Sequence, residues 1–273
     1  MRAVVLDTEG QPRLADVPEP ADSLRVRACG LCGSDVEKLR PVNAGSVLGH
    51  EVVAEVDGRR VALVHHLPCG ECERCRGGHE STCEQFGAAT IVPGGFAERV
   101  QATESVELPD AIDDARGTYA EPLACALRAL ERVPRGRVLV VGCGFVGRLF
   151  VELLRRRGDE VFARDPNRER LCAPEPDGEV GAAILCAPGG ADDAARALAP
   201  AGTLVVFANA GALPLDEIYR KELTVVGCRS TTPPHLRESV ALLPEPTVLP
   251  LERFAEGLEL YTSGRALKVV FTP

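Results

Sequence analysis

The chain has 273 residues, of which 45% are apolar and 26% charged, the balance of a soluble globular protein long enough for two domains. A formal net charge of −9 argues against a nucleic-acid surface, and no apolar run reaches the roughly 20 residues of a membrane span. Eleven cysteines, with Met1 leading straight into the strand-like RAVVLD and no signal-peptide pattern, predict a reducing cytoplasm in which thiols hold metal.

Residues 1–118 are strand-rich and broken by glycine and proline. RAVVLD, LRVRAC, EVVAEV, RVALV and FAERVQA alternate or run apolar over strand lengths, which predicts a compact β domain. Out of it projects PCGECERCRGGHESTC, with Cys69, Cys72, Cys75 and Cys83 spaced C-x2-C-x2-C-x7-C. Four close-set thiolates read as a closed, tetrahedral, structural zinc site with no position left for a substrate. The alternative is free or disulfide-bonded cysteines, but thiols three residues apart pair poorly among themselves.

YAEPLACALRALE (119–131) places apolar side chains at helical spacing, with Pro122 tolerated in the first turn. The period then changes. RVLVV (137–141) is a continuous apolar run suited to a parallel strand buried on both faces. EVFARD, AAILCAP, GTLVVFA and LTVVGC follow as further strands, and the alternation with helices predicts an open parallel sheet. LERFAEGLELYTSG reads as an amphipathic helix and ALKVVFT as a terminal strand.

Between RVLVV and the next helix, Gly142, Gly144 and Gly147 form G-x-G-x-x-G. The first glycine permits the tight turn, the second lets backbone approach a pyrophosphate, and the third lets helix pack on strand. Free N–H groups at the helix start complete the phosphate site. Asp165 ends the next strand, 18 residues past Gly147, near the offset expected for a ribose partner. Its charge favours NAD over NADP, although Arg164, Arg168 and Arg170 flank it and could offset that charge. Phe145 and Val146 in the loop, Arg170, and Ala208 and Arg229 further on complete the cofactor-binding candidates.

Cys32 in CGLCGSD, His50 and Glu51 in LGHE, and Glu121 in AEPLA form a second constellation. No pair has tight ligand spacing, and singly each reads as an ordinary buried or surface residue. Together, CGLCGSD, LGHE, PCGECERCRGGHESTC, PGGFAE, AEPLACAL, VVGCGFVG and SGRALKVVFTP resemble, in this order and over nearly the whole chain, the zinc-dependent medium-chain dehydrogenases of the polyol and threonine dehydrogenase branch. The resemblance implies an α/β protein with a GroES-like β domain (1–120 and 244–273) around a Rossmann domain (121–243). It implies catalytic zinc at Cys32, His50 and Glu121, with Glu51 in or beside the ligand set. In the alcohol dehydrogenases proper the third ligand is a cysteine, so Cys125, one helical turn past Glu121, stays open as an alternative.

The implied activity is hydride transfer between a secondary alcohol or polyol and NAD, with two zinc ions per chain, a small-molecule alcohol as partner, and a homodimer or homotetramer. Ser34 stands as the first member of a proton relay. Glu37 occupies a position where the family often has histidine; a glutamate, with an ordinary pKa near ~4.3, is a weak base at neutral pH. The chain is short for the family, with losses between Asp35 and Gly49, between Glu51 and Val61, and between Leu171 and Gly181. The last falls on the outer strand of a 3-2-1-4-5-6 sheet, leaving a new edge for Arg164 and Asp165 to guard. GCRSTTPP (227–234) departs from the polyol-enzyme pattern. The other readings are a zinc-independent reductase of the same fold and a non-catalytic nucleotide- or metal-binding protein.

Overall fold

A computed structural model describes residues 1–87, 90–209, 211–239 and 246–273. It separates into two compact units, Met1–Ala124 with Thr231–Pro273, and Cys125–Ser230. The boundary expected at 243/244 lies outside the described residues.

The first unit begins with the antiparallel ribbon β1 (Arg2–Leu6) and β2 (Pro12–Asp16), followed by β3 (Leu24–Gly30) and the short helix α1 (Gly33–Glu37). β4 (Glu51–Val56) and β5 (Arg59–Leu63) form a hairpin through Asp57-Gly58, with φ of 49° and 76°. Two successive positive φ values are what a two-residue hairpin turn demands, and Asp-Gly supplies them at little cost. Helix α2 (Glu73–Arg76) lies in the cysteine lobe, and β6 (Ile91–Val92), β7 (Arg99–Ala102), β8 (Ser105–Glu107) and α3 (Asp114–Gly117) lead to α4 (Ala120–Leu130), within which the first unit ends.

The second unit is a parallel sheet. Its strands are β9 (Arg137–Val141), β10 (Glu160–Arg164), β11 (Val180–Leu185), β12 (Leu198–Val206) and β13 (Thr224–Gly227), in the order β10-β9-β11-β12-β13. α5 (Phe145–Arg157) follows β9. It carries Arg155, Arg156 and Arg157 in its last turn, where they complement the helix dipole, and ends at left-handed Gly158. α6 (Ala191–Ala197) and α7 (Leu215–Lys221) link later strands. Leu139, Ala183, Leu185 and Leu204 are fully buried at the centre of the sheet, as the continuous apolar runs require.

The order corresponds to 2-1-4-5-6 of a six-stranded doubly wound sheet, with the outer third strand absent. β10 is therefore an edge, but Arg164 and Asp165 do not guard it. The segment after the 3-10 turn Arg168–Arg170 returns along β10 instead, and Pro174 O accepts from Ala163 N at 2.9 Å. Arg155 donates to Cys172 O (2.7 Å), and Arg137 donates to Glu179 O and pairs with Asp177. Pro174 and Pro176 offer no N–H of their own, so the edge is covered by a strip that cannot extend the sheet.

The chain then re-enters the first unit through α8 (Pro233–Glu238), β14 (Thr247–Pro250), α9 (Phe254–Thr262) and β15 (Val269–Thr272). β15 pairs antiparallel with β3, giving the curled sheet β14-β15-β3-β4-β5-β8 its closing strands. Phe96 from the N-terminal part packs on Phe254 and Phe271 from the C-terminal part, with ring centroids 4.9 and 5.8 Å apart. A Cβ on Gly257 would sit 2.4 Å from the Phe271 ring, so this contact of α9 with β15 needs glycine. The α/β class, with a curled, mostly antiparallel sheet in one unit and a Rossmann-type parallel sheet in the other, is as the motifs imply. No helix among the described residues is long and apolar enough to cross a membrane.

Candidate metal centres and nucleotide site

The four sulfurs of Cys69, Cys72, Cys75 and Cys83 lie within 4.8 Å of one another, with Cys69 and Cys75 at 4.0 Å. Zinc–sulfur bonds of about 2.3 Å in a tetrahedron put sulfurs ~3.8 Å apart, so the cluster needs little contraction to fit that ion. The local fold aims backbone donors at sulfur. Cys72 N donates to Cys69 Sγ (3.3 Å), Cys75 N to Cys72 Sγ (3.4 Å) and Cys69 N to Cys83 Sγ (3.4 Å). Backbone donors, the Glu84 N–H foremost, hold the Cys72 thiol down at about 6, while burial pushes Cys75 up to about 12. Thiolate is the form a metal binds.

Cys32, His50 and Glu51 likewise bring one ligand atom each within 4.8 Å. Cys32 caps α1, and Glu51 opens β4 directly after His50. Glu121 is buried in the first turn of α4. It is close enough that its charge pushes Glu51 up, but it lies outside that close set; Cys125, on the same helix, belongs to neither cluster.

The sequence reading missed Asp35, which is 1% exposed. It accepts from Cys32 N at 3.1 Å and from Gly49 N at 3.4 Å, and lies 3.2 Å from His50 Nδ1. A proton on Nδ1 shared with this carboxylate leaves Nε2 as the ligand atom, the usual carboxylate–histidine support of a metal. Burial alone would lower the His50 pKa, but Asp35 and the Cys32 side chain outweigh it and hold it well above its ordinary value.

Lys268, from just before β15, was also missed. It is buried and ion-paired with Glu51, and its Nζ lies 3.4 Å from Leu31 O. A Cβ on Gly30 would fall 2.1 Å from Glu51 Oε2, so the carboxylate occupies space that only glycine leaves. His65 lies tilted against His50, with ring centroids 4.5 Å apart; burial first, then the neighbouring His50 and Lys38, hold it down at about 3, a neutral imidazole. The only signal for these groups was their residue type, because each reaches the centre from a different element.

Of the relay candidates, the Ser34 hydroxyl donates to Cys32 Sγ at 3.4 Å, and Glu37 is exposed at the end of α1.

In the second unit, Gly142 adopts φ 95°, and a Cβ there would lie 2.7 Å from Ala187 Cβ. A Cβ on Gly147 would fall 1.9 Å from Gly142 O, whereas one on Gly144 would meet nothing within 4 Å. Crowding at the first and third glycines with open space at the second is the pattern a pyrophosphate requires. Gly144 caps α5, with Phe145 and Val146 opening the helix. Asp165 follows β10, Ala208 follows β12 and Arg229 follows β13, so all sit at the carboxyl ends of parallel strands, where doubly wound sheets bind ligands. Asp165 accepts from Cys143 N (2.7 Å) and Asn167 N (2.9 Å). Arg170 is half-buried, its carbonyl accepting from Arg148 Nη2 at 3.1 Å, and Arg229 is exposed.

Residues 23–110 match the alcohol dehydrogenase GroES-like domain family. Over the whole chain, the solved structure of the alcohol dehydrogenase TADH from Thermus sp. ATN1 superposes with a TM-score of 0.83 at 26% identity, covering 100% of both chains. The chain is similar to alcohol dehydrogenases over its whole length. It is an oxidoreductase, similar to the L-galactonate-5-dehydrogenase of Escherichia coli K12 (28% identity over 80% of this chain and 79% of that one). It also resembles a sorbitol dehydrogenase of Halalkalibacterium halodurans (25% identity, 100% and 99%). The latter alignment spans 341 positions against 273 residues here, so at least 68 positions of that dehydrogenase have no counterpart in this chain.

Proposed function

We propose that this dehydrogenase uses two zinc ions per chain and NAD to oxidise secondary alcohols or polyols, or to reduce the matching ketones. The observation that carries the reading is the Cys32–His50–Glu51 set braced by Asp35, in a chain that also bears a complete phosphate loop. Zinc there would supply Lewis acidity toward a substrate oxygen, and NAD the hydride acceptor. Cys32 and His50 bind the ion, and Glu121 and Glu51 supply the carboxylates. Asp35 keeps Nδ1 of His50 occupied so that Nε2 stays aimed, and Lys268 anchors Glu51. Ser34 takes the departing proton, and Glu37, exposed at the end of α1, is a solvent-side exit for it. The four-cysteine lobe is structural. Gly142, Gly144, Phe145, Val146, Gly147, Ala208, Arg170 and Arg229 hold the dinucleotide, and Asp165 meets the adenosine ribose and selects NAD.

The relatives named above act, by their names, on L-galactonate and sorbitol, which supports a polyol-like substrate. Eleven cysteines, four of them close-set as metal ligands, support a reducing compartment. β13 is the sheet's other edge, and we assign it to pairing across a two-fold homodimer. The test is metal analysis combined with NAD- and NADP-linked turnover over diols, sugar alcohols, amino alcohols and simple alcohols. Two zincs per chain and faster NAD-linked oxidation of secondary alcohols are expected. One zinc with turnover would return the zinc-independent reductase, and two zincs with no turnover would return the non-catalytic reading.

A further inference from the structure

Two adjacent histidines stand between the two candidate metal centres, and all of these residues lie in the first unit. His65 and His66 follow β5 just before the first lobe cysteine, and their rings reach different clusters. The His65 ring lies against His50, a member of the Cys32–His50–Glu51 set. His66 is 2% exposed; its Nε2 donates to Glu80 O at 2.9 Å, and its ring centroid is 4.2 Å from that of Phe86. Glu80 and Phe86 bracket the last lobe ligand, since Cys83 N donates to Glu80 O at 3.0 Å and Phe86 N donates to Cys83 O at 2.9 Å. Thr90 Oγ1 donates to His65 O at 2.6 Å, which pins the peptide joining the two histidines.

His50 is held in two different ways. Asp35 fixes the position of Nδ1, but a bond at one atom leaves the ring's terminal torsion soft. The His65 ring, its centroid 4.5 Å from that of His50 and its plane tilted by 36°, limits that rotation by contact and so sets where Nε2 points. His65 is held in turn through the peptide to His66, which is fastened to the lobe at Glu80 and Phe86. With the four lobe thiolates drawn to one ion, Cys69 and Cys83 are locked together, and His66 is closed in beside them. Without that ion the segment 69–83 keeps a hydrogen bond and a ring contact to His66 but loses its cross-link.

We propose that His65 and His66 are positioning residues that couple the two centres, so that an occupied cysteine lobe tightens metal binding at the Cys32–His50–Glu51 set. The coupling rests on the two-metal reading above. It gives the lobe, which has no position for a substrate, a bearing on the reaction: the lobe governs how firmly the other centre keeps its ion. Binding linkage is reciprocal, so an ion held by Cys32 and His50 also steadies the lobe. Outer partners of a metal-bound histidine are worth about 10–100-fold in affinity, which sets the scale of the loss when the contacts from lobe to His50 are cut.

The test measures zinc affinity at the Cys32–His50–Glu51 set by chelator competition, with Cys32→Ser identifying which ion belongs to that set. Cys83→Ser, which empties the lobe and leaves the other ion in place at saturating zinc, should weaken zinc there by about tenfold or more. His66→Ala, which keeps all four thiols, should do the same, whereas His66→Gln, with an amide to donate to Glu80 O, should stay within about threefold of wild type. His65→Phe keeps a ring against His50 and should also stay within about threefold; His65→Ala should lose about tenfold. The deciding comparison is the cycle of His65→Ala with Cys83→Ser, or with His66→Ala where loss of the thiol prevents folding. Once His65 is gone, emptying the lobe should weaken the other centre by less than about twofold. Losses that multiply instead show general loosening of the unit and overturn the coupling. Unchanged affinity in both Cys83→Ser and His66→Ala overturns it as well. A wild-type chain that takes up no zinc at Cys32 and His50 sinks the two-metal reading itself, and the coupling with it.

Discussion

Replacing Lys268 with methionine tests whether the buried pair at the centre of the β unit is held by charge. Lys268 is 4% exposed and Glu51 1%. Burial pushes the Glu51 carboxyl up; Lys268 and then His50 oppose that, and Glu121 adds to it. Lys268→Met preserves most of the volume and removes the opposing charge, leaving Glu51 as an unpaired buried carboxylate or forcing it to take a proton. Breaking such a pair from one side costs about 3–5 kcal/mol, a large share of the ~5–15 kcal/mol that holds a typical domain. For a protein of this size the melting temperature should fall by roughly 6–20 °C. Lys268→Met with Glu51→Gln should recover much of the loss, because both charges are then gone and the amide can still hydrogen-bond. Thermal unfolding of the wild type, both single variants and the pair closes a double-mutant cycle. A single-variant loss within ~0.5 kcal/mol, or a coupling below ~0.5 kcal/mol, would refute the argument that Lys268 compensates Glu51.

Cys72→Ser or Cys83→Ser should remove one zinc per chain and lower the melting temperature, while leaving the second zinc in place; unchanged zinc content in either variant removes the lobe assignment. Glu121→Ala should bring alcohol turnover close to zero with the NADH dissociation constant changed less than about threefold, since the phosphate loop lies in the other unit. Near-normal turnover in the Glu51→Ala, Glu121→Ala pair would take both carboxylates out of the mechanism and return Cys125. Asp165→Ala should weaken NAD more than NADP, by about 1–3 kcal/mol for NAD, because it removes a ribose acceptor together with the carboxylate that repels a 2′-phosphate. Tighter binding of NADP than NAD by the wild type would assign the site to the neighbouring arginines.

The cysteine lobe was legible in the chain because its ligands are local. Spacings of two and seven residues confine four thiols to one loop, and a short helix capped by Cys72 needs no distant partner to form. The phosphate loop was legible for the same reason: three glycines within six residues encode a turn, a close approach and a packing contact wherever the sheet stands. Even the missing strand could be read, since 171–179 is too short to hold a helix, strand and helix.

Tertiary structure decided everything that depends on burial between distant segments. Asp35 sits two residues from the relay candidate Glu37, and the two look alike in sequence. Only the packing of α1 against the loop before β4 buries the first under His50 and leaves the second in solvent. Lys268 lies 217 residues from Glu51, and β15 had to pair with β3 before their charges could meet. The guard of the new sheet edge also went to a proline-bearing strip rather than to Arg164 and Asp165. Asp165 is occupied by the Cys143 amide, and which backbone carbonyl reaches Ala163 N is fixed by how the chain returns, not by residue type. Short-range spacing specifies ligands that share a loop. Dielectric environment, and with it the role of each carboxylate and amine, exists only once the chain has closed around them.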